Sequence, residues 1–440
     1  MKNAAVLAIA VTFAATLPAS AQMAAGTRSV AMGGGGMVFA TGVEAVEWNP
    51  ANLGWAGGWN ISLFELGAVG LGDGATVDDL GLIFGVQDGD VAGAVNRLPA
   101  SGIRFSTVTE GFATSLGAQE ASIPEPGSPL PTIGIAVGPV AFRIRSRVFA
   151  DATISKELAD LIGNGFEEEN LQNYAVGNTG WRTTSLTEYT LSYGTSIGAL
   201  SIGVGGRYVQ GHGLVDGQFF EPEIDLNNQT LLIRSVAVES QSGTGYGLDV
   251  GLSIDLPGGF RVGASGTNVA QKMEWDGDLV AWTAEYTDED FDTFEIEDFF
   301  NAFDDQPLDP NGVSLAVFEA GSGLFDQSYF PQVYRGGVGW QAGGTTLEAS
   351  GIVVSPSGRF SSPWDERISF GFEQKIPVLT LRAGYAIGQE SLTTYTAGLG
   401  LRLGPVHIEA SGGKFNGARE AGPWDGYYGS VGLQVKGGGL

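Results

Sequence analysis

Val140-Ala141-Phe142-Arg143-Ile144-Arg145-Ser146-Arg147-Val148 sets its bulky apolar residues at even positions and its arginines at odd ones. Val140, Phe142, Ile144 and Val148 lie on one side of a period of two, and Arg143, Arg145 and Arg147 on the other. That period is a β-strand with two unlike faces. Three arginines on one face cannot sit in a dry sandwich core, because each unpaired buried charge costs several kcal/mol. They can face a wet lumen, and the apolar face then meets lipid.

The same division recurs along the chain. Leu200, Ile202, Val204 and Tyr208 alternate with Ser201, Gly203, Gly205 and Arg207. Leu248, Val250, Leu252 and Ile254 alternate with Asp249, Gly251, Ser253 and Asp255, and Leu379, Leu381, Ala383 and Tyr385 with Thr380, Arg382 and Gly384. Short connections at 138–139, 198–199, 257–259, 342–344, 375–377 and 404–405 alternate with longer ones, chiefly 71–130, 155–186 and 281–327. Pairing them gives about fourteen strands, an even number with both ends on the short-turn side, the layout of a bacterial outer-membrane barrel. A secreted sandwich or propeller shares the period but does not require this strict alternation of turn lengths. The expected fold is therefore all-β: a transmembrane antiparallel β-barrel over residues 59–440.

Composition agrees. The 440 residues include 70 Gly and only 18 Pro, are 43% hydrophobic and 10% aromatic, and carry a net charge of −27. Collagen and disorder are excluded. The acidic balance argues against a nucleic-acid partner. With no Cys and two His, disulfide frameworks, thiolate metal sites and a Cys nucleophile are excluded, and no cofactor is implied. Lys2, the apolar run Ala4 to Leu17 and Ala19-Ser20-Ala21 read as a signal peptide over 1–21, removed on export. Later in the chain no stretch is long and apolar enough for a membrane helix. Catalytic groupings are poor as well, since Ser411 lies about 13 Å along the strand from His407 at ~3.3 Å per residue. The chain does not read as an enzyme.

The acidic charge gathers between Glu274 and Asp309, a stretch without Lys or Arg. A solvated outer loop is the plain reading, with carboxylates sharing divalent cations with lipopolysaccharide the sharper one. Asp276-Gly277-Asp278 lacks the full spacing of a calcium loop, so no metal site is assigned.

The segment ahead of the first strand is the most specific. Gly26-Thr27-Arg28-Ser29-Val30-Ala31-Met32-Gly33-Gly34-Gly35-Gly36 leads into Ala45-Val46-Glu47-Trp48-Asn49-Pro50-Ala51-Asn52-Leu53. This stretch resembles the N-terminal hatch of the FadL/OMPP1/TodX family of outer-membrane proteins, including its PorV-type relatives. Those share an Arg-to-Met-Gly-Gly start and an Asn-Pro-Ala signature, here Asn49, Pro50 and Ala51, shortly before the first strand. Ser155 to Gly165, with Leu158, Leu161 and Ile162, also resembles the PorV-type branch. The resemblance implies a fourteen-stranded barrel whose lumen is plugged by a hatch, here residues 22–58, and which in the transport branch passes hydrophobic molecules across the outer membrane. A barrel of that width would otherwise be an open pore. Two departures stand out. The transporters' third strand is kinked to open the wall, whereas Val140 to Ile154 has no internal Gly or Pro. The chain also ends Lys436-Gly437-Gly438-Gly439-Leu440, without the usual terminal aromatic.

Two functions follow as expectations. The first is uptake of hydrophobic small molecules, such as long-chain fatty acids, through a hatch-gated barrel in the outer membrane, surrounded by its lipid and lipopolysaccharide. The ligand would sit above the hatch near Phe291, Phe294, Phe299 and Phe300. Inward Arg143, Arg145, Arg147, Arg207, Arg382 and Arg402 would attract a carboxylate head group or pair with Asp249, Asp255 and hatch carboxylates. The alternative is a PorV-type scaffold that binds secreted or envelope proteins through its outer loops.

Overall fold

A computed structural model of the chain describes residues 26–73, 90–99, 102–111, 132–157, 160, 179–219, 223–225, 230–287, 307–308, 332–354, 366–388, 392–419 and 422–438. Fourteen antiparallel strands form its wall. They are β1 (Trp59–Asp73), β2 in two pieces (Ile103–Glu110 and Ile133–Val137), β3 (Val140–Ile154), β4 (Gly180–Ile197), β5 (Leu200–Phe219), β6 (Thr230–Leu256) and β7 (Phe260–Thr287). After them come β8 (Val333–Ala342), β9 (Thr345–Val354), β10 (Arg367–Lys375), β11 (Leu379–Gly388), β12 (Thr393–Leu403), β13 (Val406–Arg419) and β14 (Gly422–Gly437). Each strand pairs with the next, and β14 returns to β1 in a register running from Trp59↔Gly437 to Asp73↔Trp424. The sheet is a closed barrel, which leaves no edge strand to pair with other chains. Small fragments at Glu223–Asp225 and Pro307–Leu308 extend the pairing of β6 and β7.

Alternation places the side chains as the period of two requires. On β5, Ser201, Gly203, Gly205 and Arg207 point inward, while Leu200, Ile202, Val204 and Tyr208 are exposed outward. The outward set forms a continuous apolar belt, including Leu191, Val250, Leu252, Phe370 and Leu399. Its upper margin is a row of tyrosines in register, Tyr189 opposite Tyr208 and Tyr208 opposite Tyr246, with Tyr385 opposite Tyr395 farther round. Its lower margin, by the short turns, carries Trp59 and Phe260. From Leu200 to Tyr208 the belt is about 20 Å tall at ~3.3 Å per residue and a tilt of ~40°, close to the apolar band of a membrane barrel. Closure also satisfies the backbone, which lipid cannot do.

The connections differ from the sequence reading in three places. The stretch 71–130 is not one outer loop, because β1 runs on to Asp73, a helix spans Val91–Asn96 and the upper piece of β2 occupies Ile103–Glu110. Ile103, Phe105 and Val108 do not keep one parity, so the stretch carries no clear strand signal. Likewise, β4 begins at Gly180, inside the expected loop 155–186, and β7 extends to Thr287, inside 281–327. These strands rise well above the tyrosine row, where loss of the lipid requirement blurs the pattern.

β3 is continuous, as its lack of Gly and Pro suggested, and the interruption falls in β2 instead. Above it, Arg104–Glu110 pairs with Asp73–Gly67, and Ile103–Glu110 with Ile154–Arg147. Below it, Ile133–Val137 pairs with Ile144–Val140, and Gly134–Val137 with Ser62–Trp59. Where the pieces meet, Gly111 N–H donates to the Ser146 carbonyl at 2.9 Å and Thr132 N–H to the Glu65 carbonyl at 3.3 Å. The wall thus has a seam just above the Tyr189 level. Gly111 has φ +85°, which a side-chain-bearing residue rarely adopts.

Replacing mid-belt Val250 by Arg is expected to destabilise the barrel by about 2–4 kcal/mol, the cost of a charge facing hydrocarbon. Guanidine unfolding in lipid vesicles measures it, with Leu256→Arg, outward but at the exposed short-turn rim, as a comparison expected to cost only about 0–1 kcal/mol.

Candidate functional site

The lumen holds the N-terminal segment. α1 (Thr27–Ala31), a 3-10 turn (Gly42–Glu44), α2 (Ala45–Trp48) and a 3-10 helix (Pro50–Trp55) follow one another, and of residues 26–53 only Thr41 is exposed. Helices of four or five residues are unstable alone. The wall must hold them.

It does so at two seats. Asn49 accepts from Ala51 N–H at 3.1 Å, capping the helix that Pro50 starts. Its amide donates to the Leu252 carbonyl at 3.1 Å and to Ser253 Oγ at 2.9 Å. Beneath this turn Gly194, Gly203 and Gly251 lie side by side on β4, β5 and β6. A Cβ at Gly203 would stand 2.3 Å from the Pro50 carbonyl carbon, and one at Gly251 2.1 Å from Asn49 Oδ1. Only a bare backbone admits the turn. The second seat, on β10–β12, nearly opposite in a ring of fourteen, receives Gly33: Thr396 Oγ1 accepts from its N–H at 3.0 Å and Ser369 Oγ donates to its carbonyl at 2.9 Å. The segment is a strut across the lumen.

Above the first seat is a layer of charges. Glu188 accepts from Arg145 at 2.8 Å, Arg147 at 2.6 Å and Arg207 at 2.6 Å. Arg145 also reaches Glu110 at 3.2 Å and Glu47 of α2 at 3.0 Å. Arg207 bonds Asp249 at 2.9 Å, and Asp249 accepts from Asn268 N–H at 2.8 Å. Asn268, at φ 55°, is the one non-glycine residue with positive φ among the described residues, and marks the bulge that brings its amide inward. Arg335 stacks 5.1 Å over Trp48. Four guanidiniums thus stand near four carboxylates, Glu47, Glu110, Glu188 and Asp249. Across the lumen Arg382 bridges Glu373 at 2.7 Å and Glu409 at 2.9 Å, and Arg28 of α1 joins Glu373 at 3.1 Å. Arg143 bonds Glu65 at 3.0 Å.

Two expected lumen charges lie elsewhere. Asp255 and Arg402 face inward but at the short-turn rim, below the hatch's charged contacts. Asp255 pairs with Arg261, which stacks 4.2 Å over Trp55, and Arg402 donates to the Ile376 carbonyl of a short turn. Neither joins the buried layer. Asp249 and a hatch carboxylate, Glu47, pair with inward arginines as the sequence led one to expect, but the other wall carboxylates were not singled out. Glu188, Glu373 and Glu409 occupy inward positions that strand parity alone marks, whereas Glu110 lies within a stretch expected to be loop.

The next inward positions are apolar. Val209 follows Arg207 by two residues, Phe149 follows Arg147, Leu186 precedes Glu188 and Val108 precedes Glu110. With Val30 of α1, Phe415 and Tyr428 they form one cluster in the lumen. The Phe415 and Tyr428 rings are 5.4 Å apart, and Tyr428 hydroxyl donates to the Val30 carbonyl at 3.1 Å. The hatch is therefore the floor of an apolar layer in the lumen. Phe291, Phe294, Phe299 and Phe300, the expected ligand contacts, lie outside the described residues, as do residues 1–25 and most of the loops assigned to lipopolysaccharide or protein partners.

No protein-family model matches the chain, and no curated protein sequence matches it. Solved structures do. The chain is similar to the Ralstonia pickettii toluene transporter TbuX, with a TM-score of 0.54 and 16% identity over 94% of this chain and 99% of that one. It is similar to the monoaromatic hydrocarbon channel CymD at a TM-score of 0.50 and 12% identity, over 96% and 100%. A deltaS2S3 mutant of the TodX monoaromatic hydrocarbon channel gives 0.50 and 12%, over 94% and 99%. At these identities the likeness establishes a shared fold.

Two outcomes follow. Gly203→Val should unseat the hatch and raise ion conductance in planar bilayers, whereas Gly206→Val, whose Cβ meets nothing within 4 Å, should leave conductance unchanged. Glu188→Gln removes the carboxylate paired with Arg147 and shared by Arg145 and Arg207, which keep other partners, and should cost about 3–5 kcal/mol in unfolding free energy.

Proposed function

We propose that this protein is an outer-membrane channel for neutral apolar small molecules, which enter the chamber above the hatch. The observation that carries this reading is the stacking of an apolar layer directly on a charged layer whose guanidiniums and carboxylates balance. A carboxylate ligand would find Arg145, Arg147 and Arg207 already neutralised, and would have to displace protein carboxylates to bind them. An apolar ligand needs only the burial that Phe149, Leu186, Val209, Phe415 and Tyr428 provide, at roughly 25 cal/mol per Å². The preference thus narrows the expectation of fatty acids toward uncharged hydrocarbons. The hydrocarbon channels that share the fold support the same class.

The charged layer also bears on the exit. Straight descent would drag an apolar molecule through closely paired ions and past a strut seated on bare glycine backbone. The seam in β2 lies below Glu110, at the level of the charges, its lips bonded to the carbonyls of Ser146 and Glu65. Release there, sideways toward the upper margin of the lipid belt, spares the ligand the descent past the strut.

Uptake of radiolabelled toluene by a Gram-negative host lacking other hydrocarbon channels tests the proposal. Expression should raise the uptake rate of toluene more than that of oleate. Leu186→Asp, which puts a charge in the chamber, should lower toluene uptake roughly tenfold, about 1.4 kcal/mol, with barrel mobility on cold gels unchanged. Equal toluene uptake with and without the protein would sink the reading.

A further inference from the structure

One residue touches every part that the proposed sideways release would have to move. Glu65, buried on β1, accepts from Thr27 N–H at 2.7 Å and so holds the first turn of the hatch. Its other oxygen accepts from Arg143 of β3 at 3.0 Å. Its carbonyl accepts from Thr132 N–H, the lower lip of the seam. The upper lip is as close: a Cβ at Gly111 would lie 2.9 Å from the same carbonyl oxygen and 2.3 Å from Leu66 Cδ2. A single side chain and its own peptide therefore bond the hatch, the lower lip and β3, and lie against the upper lip, whose amide bonds the Ser146 carbonyl. The hatch's other charged anchor on the wall near α1, Arg28 to Glu373, lies away from the seam on β10.

We infer that Glu65 is a positioning residue that couples the place of the hatch's first turn to the tightness of the β2 seam. With Thr27 docked, the carboxylate is drawn inward between the Thr27 amide and Arg143, and β1 is fixed against both lips. When α1 shifts, Glu65 loses its amide donor, Arg143 alone orients it, and the segment of β1 that carries the Thr132 bond is released. A ligand that displaces Val30 from the floor of the chamber would thereby loosen the wall beside it. This rests on the uptake reading for its purpose, though not for its geometry.

The chain has no Cys, so an engineered pair is unambiguous. Thr27 Oγ1 and Ser430 Oγ are 3.1 Å apart, and Thr27→Cys with Ser430→Cys locks α1 to β14 on oxidation. Amide hydrogen exchange at Gly111 and Thr132 is then measured by mass spectrometry in the detergent-solubilised full chain, oxidised and reduced, with toluene uptake recorded on the same variants. Oxidation should slow exchange at both lips by roughly fivefold when Glu65 is present, and by less than about twofold in Glu65→Ala. If Glu65→Ala does not fold, Glu65→Gln, which keeps an acceptor but not the charge facing Arg143, should give an intermediate slowing. Equal slowing with and without Glu65, or none in either, overturns the coupling. Slowing that depends on Glu65 in a protein that takes up no toluene upholds the coupling and defeats the uptake reading instead.

Discussion

The structure depends on neutralising guanidinium groups inside a ring of strands whose other face must stay greasy. Every inward arginine of the buried layers needs a partner, because a charge left alone there costs far more than any one contact returns. The wall supplies Glu110, Glu188, Asp249, Glu373 and Glu409, but the accounts between strands do not close without the hatch. Glu47 completes the surroundings of Arg145, and Arg28 adds a second cation to Glu373 beside Arg382. The leading segment is thus part of the electrostatic core of the barrel, and its short helices persist because they are held from outside.

Glycine sets the complementary constraint. Charge can pull a strut toward a wall, but hydrogen bonds of 2.9–3.1 Å from Asn49 to β6 require backbone to approach backbone. The rows at Gly194, Gly203 and Gly251 grant that approach, with Gly384 playing the same part for Gly33. A composition of 70 glycines therefore has a local meaning in this lumen beyond strand curvature. Some of them are the imprint of the plug on the wall.

These relations explain what could be read from the sequence. Barrel, strand number and orientation were legible because lipid enforces strict alternation: Val140, Phe142 and Ile144 against Arg143, Arg145 and Arg147 leave one solution. Where lipid ends, so does the signal, which is why Ile103–Glu110 was read as loop and the start of β4 was set too late. The charged layer was half legible. Arginines are conspicuous in a strand, whereas Glu65 and Glu188 become meaningful only once register sets them beside Arg143 and Arg145. Asp255 and Arg402 show the converse, since parity gives the face of a residue but not its height.

Height is what turns these contacts into a device. Along four neighbouring strands, β2 to β5, a charge and an apolar residue sit two positions apart, in the order that puts charge toward the hatch and apolar groups toward the long loops. Strand tilt is shared, so the two sets form layers rather than patches. On the proposed function, an uncharged molecule would be stabilised in the upper layer, and an ion would find its counter-ions taken in the lower. The break in β2 falls within the charged layer, beside Glu65, whose carboxylate also holds the first turn of the hatch. The apolar layer, the charged layer and the seat of the hatch thus arise from the same few inward positions.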